Sequence, residues 1–191
     1  MKDSQRKILL DISRRAIELY LEIGKKLSPY HEDFDDVDLW ERRGTFVTLT
    51  IGRQLRGCIG SIIPTKPLIL DIVDNSINAA FRDPRFYPLT KDEFKAIDIE
   101  ISILTIPMRL EFSDVQDLYN KIRPGIDGVI LRRGIYQATF LPQVWEDLSS
   151  KDEFFGNLCY KAGLPYNCIE LNGMEINTYQ VEAFSEKDFR K

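Results

Sequence analysis

Apolar residues recur at helical spacing from Gln5 to Gly24. Ile8, Leu9, Ile12, Ala16, Ile17, Tyr20 and Ile23 make one stripe with charges between them, which predicts an amphipathic helix lying on a core. Gly24 is its stop. A polar connection runs to Gly44, and the period then falls to two. Phe46–Ile51 reads as a strand, Gly52-Arg53-Gln54 as a tight turn, and Leu55–Ile63 as the returning strand. Pro64 ends it. Thr65 and Pro67 suit a helix start, Ile69, Ile72, Val73, Ile77, Ala80 and Phe81 give that helix its apolar face, and Asp83-Pro84 closes it. Thr90 and Glu93 form a capping box, with Leu89 and Phe94 placed as a hydrophobic staple for a short helix. Residues 98–103 alternate cleanly, with Ile99, Ile101 and Ile103 on one face and Asp98, Glu100 and Ser102 on the other.

Pro107 marks a lobe boundary. Beyond it Arg109–Phe112 reads as a strand, and Ser113 with Gln116 as the cap of a helix through Ile122. Val129–Leu131 and Tyr136–Leu141 read as strands joined near Gly134. Ser150 with Glu153 caps a helix that Gly163 ends, and a final strand, Thr178–Phe184, returns to the first sheet. Strands and helices alternate incompletely and hairpins are frequent. The expectation is therefore an α+β fold with mainly antiparallel sheets flanked by helices. It would be one domain, 1–191, in two lobes: 1–106 plus 171–191, and 107–170.

Charge and composition narrow the function classes. The 191 residues carry a formal charge of −4, which argues against a general binder of nucleic-acid backbones. No apolar run approaches membrane-spanning length, and the charged N-terminus does not look like a signal peptide. A cytoplasmic location is expected, with no membrane association. The single histidine, His31, stands in an acidic stretch, leaving little for a Ser-His-Asp triad or a histidine-rich metal site; no metal and no cofactor are expected. The three cysteines, Cys58, Cys159 and Cys168, lack zinc spacing. Free thiols are the default in a reducing compartment, with a Cys159–Cys168 disulfide as the alternative.

The most informative run is Leu55-Arg56-Gly57-Cys58-Ile59-Gly60. In an extended strand Arg56 and Cys58 share a face unless a bulge intervenes, and a neighbouring cation favours thiolate. Gly57 and Gly60 leave room for a ligand or another backbone. Glu100 supplies a carboxyl for proton transfer. Arg56 and Arg85 are a pair of guanidiniums able to grip a carboxylate or phosphate; against this stand internal ion pairs, Arg56 with Glu100 or Arg85 with Asp83. Gln143 is a hydrogen-bonding candidate from the second lobe. Cys58 as a small packed core residue competes with Cys58 as nucleophile.

Taken in order, these motifs resemble the AMMECR domain family. The resemblance runs from about Ile8 to Phe189. It rests on Gly44–Leu49, on Leu55–Gly60, on Ala79-Ala80-Phe81-Arg82-Asp83-Pro84-Arg85-Phe86 and on Ile99–Leu104. In the second half it rests on Asp127–Ile130, Phe140–Val144 and Lys161–Leu164. Ile106 and Ile169 depart from the pattern as packing changes. The resemblance implies a two-lobed α+β domain and, in microbes, association with a Memo-like protein and a radical-SAM protein, the AmmeMemoRadiSam set; it implies no settled reaction. Two readings follow. One is a ligand- or partner-binding module. The other is an enzyme or enzyme subunit acting on a small anionic substrate in an inter-lobe cleft, with Cys58 as nucleophile, Glu100 as acid or base, and Arg56, Gly57, Gly60, Arg85 and Gln143 as binding residues. The chain lacks a cluster-binding cysteine triad, so the radical chemistry would belong to the partner.

Overall fold

A computed structural model describes residues 1–148 and 150–190. The chain divides into two compact units, Met1–Leu104 with Glu182–Lys191, and Thr105–Val181. The first unit opens with helix α1 (Asp3–Ile23), whose apolar stripe is buried and whose end is set by Gly24 at φ 67°, a left-handed conformation natural to glycine. Strands β1 (Thr45–Ile51) and β2 (Gln54–Ser61) form a hairpin. Gly52 and Arg53, at φ 55° and 73°, make its two-residue turn, whose positive angles match the strand twist. Helix α2 (Leu68–Phe81) follows, then α3 (Lys91–Ala96) with Thr90 and Glu93 as a complete capping box, then β3 (Asp98–Leu104).

β1 pairs antiparallel with β2 on one side and β3 on the other; with β8 (Val181–Ser185) the sheet order is β2-β1-β3-β8. Val47, Leu49, Ile99 and Ile101 are fully buried and share a core with the stripes of α1 and α2. Thr48, Cys58 and Glu100 take the alternate positions and are half-buried.

The second unit holds β4 (Met108–Arg109), α4 (Val115–Lys121), β5 (Gly128–Arg133), β6 (Tyr136–Phe140), α5 (Lys151–Lys161) and β7 (Glu175–Tyr179), with sheet order β4-β7-β5-β6. Val129, Leu131 and Ile176 pack with Phe154, Phe155 and Leu158, and Trp145 stacks on Phe154 with ring centres 3.5 Å apart. The α+β class and the antiparallel sheets are as the sequence predicts.

Four local expectations are corrected. The strand expected at Arg109–Phe112 is only Met108–Arg109. The cap of α4 is Asp114, which accepts from the Asp117 N–H, not Ser113; a carboxylate is the stronger acceptor at a helix start. The expected last strand, Thr178–Phe184, is two strands in two sheets, β7 and β8, separated by Gln180. Finally, Cys159 and Cys168 are not free thiols: they form a disulfide with Cα atoms 5.7 Å apart, a separation within the bonding range. Gly163, at φ 79°, ends the helix that carries Cys159 and lets the chain turn back.

Candidate functional site

Close packing explains both glycines of the Arg56–Gly60 run. A Cβ on Gly57 would lie 2.1 Å from the carbonyl oxygen of Ala79, so glycine lets β2 press directly on α2. A Cβ on Gly60 would lie 2.2 Å from the Phe46 ring. Both distances are far inside van der Waals contact, and neither position tolerates a side chain without movement.

Just before Gly57 the register with β1 shifts. Leu49 faces Gly57 while Thr50 faces Leu55, leaving Arg56 as an extra residue. This is a bulge, and it takes Arg56 out of the alternation that would have aligned it with Cys58. The guanidinium is committed elsewhere. Nε and Nη2 donate to the two carboxylate oxygens of Glu93 at 2.8 and 3.0 Å, and Nη2 also donates to the Tyr87 carbonyl at 2.9 Å. Nη1 is buried without a partner among the described residues. Arg56 therefore pairs with Glu93, not Glu100.

Arg85 answers to Asp83. Its Nε and Nη2 donate to the two oxygens of Asp83 at 2.9 and 2.7 Å, the two-pronged geometry typical of arginine and carboxylate. The same two side chains close the outer edge of β2. The Cys58 N–H donates to Asp83 at 2.9 Å, and the Cys58 carbonyl accepts from Arg85 Nη2 at 3.2 Å. β2 is the terminal strand of its sheet, and an open strand edge is a template for unwanted pairing; Asp83 and Arg85 occupy it as a neighbouring strand would. Asp83 is only 4% exposed. Arg85, and then the Cys58 and Arg85 amides, hold its carboxyl well below the usual range despite burial. Arg56 and Arg85 converge on Phe86, their guanidinium carbons 5.7 and 5.6 Å from its ring centre.

The Cys58 thiol is half-buried. Its polar neighbour is Thr48, whose hydroxyl donates to Sγ at 3.2 Å. Thr48 stands opposite Cys58 in β2 and opposite Glu100 in β3, so the three lie in a row across three strands. Burial, and then Asp188, push the Glu100 carboxyl up, while Lys187 opposes them. Thr48 was not singled out in the sequence. Its signal is its place in β1, which becomes informative only once the register is known.

Gln143 lies exposed on the turn Pro142–Glu146 of the second unit. In that unit Asp127 holds Arg123 at 2.6 Å, and its carbonyl accepts from the Trp145 indole. Among the described residues no group of three or more His, Cys, Asp or Glu side chains is placed to hold a metal ion, and no helix is long and apolar enough to cross a membrane.

These features define an α+β protein of two units, each built on its own four-stranded sheet, with a glycine-flanked cysteine on a braced edge strand. The chain belongs to the AMMECR1 family, whose model matches residues 10–184. A protein of Methanothermobacter thermautotrophicus is 41% identical over 179 residues, covering 93% of this chain and 92% of the relative. A protein of Pyrococcus abyssi is 36% identical, covering 98% of this chain and 93% of its own. The crystal structure of uncharacterised protein PH0010 from Pyrococcus horikoshii matches with a TM-score of 0.88 at 36% identity, over 98% of this chain and 94% of that one.

Proposed function

We propose that the chain is a partner-binding module that works with Memo-like and radical-SAM proteins, and that the braced edge of β2 is the contact surface. One observation carries this reading. Tyr87 is 91% exposed although its backbone is pinned, because its carbonyl is held by the Arg56 guanidinium, itself anchored on Glu93. Leu55, 43% exposed, lies one residue from Arg56. An aromatic ring held out on a rigid backbone loses little entropy on binding, and tyrosine is enriched among the residues that dominate interfaces. The test mixes the purified chain with the Memo-like and radical-SAM proteins of the same genome and measures association. Tyr87→Ala is expected to weaken a complex roughly tenfold or more, a loss of about 1.4 kcal/mol or more. Absence of any complex, or equal binding by Tyr87→Ala and Leu55→Ser, overturns the reading.

The row Cys58–Thr48–Glu100 favours a second reading, in which Cys58 is a nucleophile toward a small anionic substrate and Glu100 handles the proton. Under it the native protein is alkylated at Cys58 by anionic iodoacetate at least as fast as by neutral iodoacetamide, and Glu100→Gln changes the pH profile of that rate. A thiol that reacts only after unfolding sinks this reading.

A further inference from the structure

The first unit carries a cavity of about 310 Å³ that the proposed contact surface does not use. Asp74, Asn78 and Arg82 line it at four-residue spacing along α2 and its C-terminal end, a spacing that stacks side chains on one face. Lys26, just past α1, and Lys66, just before α2, reach in from either side. Each lysine sits 2.6 Å from a different oxygen of Asp74. Arg82 has no carboxylate partner among the described residues; its Nη1 leans on the Asn78 side-chain oxygen at 3.2 Å. Three cations thus line a cavity that holds one carboxylate, an excess of two positive charges in a chain whose formal charge is −4.

A structural role accounts for part of this. The Lys26–Asp74–Lys66 cluster ties the end of α1 to α2. It leaves Arg82 unexplained, on the same cavity and resting on a neutral amide. Asp71, also on α2, is buried and does not line the cavity; it accepts from Thr45 at 2.6 Å and Asn75 at 3.0 Å. Burial pushes its carboxyl up, against the hydrogen bonds from Thr45 and Ser61 that pull it down.

We infer that this cavity binds the phosphate group of a small phosphorylated metabolite. A phosphate monoester carries about −1.5 to −2 charge near pH 7, the complement of the excess found here. Arg82 supplies the planar fork that phosphate oxygens accept, and the lysines supply point charges. Tyr20 and Ile77 give the cavity an apolar side for a carbon skeleton. The volume lies at the lower end of the range for ligand pockets, so the skeleton is short.

Calorimetric titration at constant ionic strength tests this, with glycerol 3-phosphate, inorganic phosphate and glycerol as probes. The expected result is saturable binding of glycerol 3-phosphate, weaker binding of inorganic phosphate that competes for the same site, and none of glycerol. Arg82→Gln is expected to weaken the ester roughly tenfold or more. Asn78→Asp, which offers Arg82 a carboxylate without removing any cation, is expected to do the same while keeping α2 intact. No binding at millimolar ester, or unchanged affinity in both variants, overturns the proposal. Inorganic phosphate binding as tightly as the ester overturns the metabolite and leaves a site for the free ion.

Discussion

Glu93 closes the capping box of α3 through Oε2 and neutralises Arg56 with both carboxylate oxygens. The Arg56 guanidinium, and then the Thr90 amide, bring its carboxyl down to about 2 from an ordinary 4.5. A depressed carboxylate stabilises the fold while ionised, because the unfolded chain takes up its proton first as the pH falls. Its contribution is therefore complete above pH 4.5 and lost as the pH drops toward about 2. Melting temperature measured against pH is expected to fall through that window, and Glu93→Gln is expected to flatten the fall while lowering stability at neutral pH. Thr90-x-x-Glu93 is legible in the sequence because a capping box is local. The second claim on Glu93 is not, because Arg56 lies 37 residues away and nothing short of the fold brings it there. The Arg85–Asp83 pair was legible for the opposite reason: only Pro84 separates its members.

At the scale of elements, what could be read was what local periodicity and capping dictate. α1 stops at the predicted Gly24, though it starts at Asp3 and not Gln5; α2 starts after Pro67, and α3 and α5 start at their predicted caps, Thr90 and Ser150. Both hairpins fall on their expected turns. What could not be read depends on a partner strand. The bulge at Arg56 exists only in register with β1, so the sequence permitted it and could not require it. β4 pairs Met108 and Arg109 with Thr178 and Asn177 of β7, and one further bond, from the Leu110 N–H to the Ile176 carbonyl, ends the contact. The candidate site divides along the same line. Its glycines were visible, and their duty toward Ala79 and Phe46 was not. The brace on Cys58 is likewise an interaction between elements, since Asp83 and Arg85 follow α2 and act on β2.

The molecule has two cores, and each holds one of its two tryptophans, Trp40 packed against the first and Trp145 buried in the second. Replacing Trp40 with phenylalanine leaves Trp145 to report on the second unit alone. The Cys159–Cys168 bridge lies in that unit and spans nine residues of separation, a loop for which chain entropy assigns a stabilisation of about 3 kcal/mol. Reduction, or the double change Cys159→Ala with Cys168→Ala, is expected to lower the denaturant midpoint read at Trp145. An unchanged midpoint would show that the link adds nothing to the packing around it. The passage of the backbone from β7 through Gln180 into β8 has a consequence for synthesis. A ribosome finishes α1, α2 and β1 to β3 long before it makes the fourth strand of their sheet. Glu182 and Glu186, which bind Arg6 and Arg14 of α1, emerge later than the whole second unit. The part of the protein that is translated first is thus completed last, and until then the nascent chain carries β3 with one edge bare.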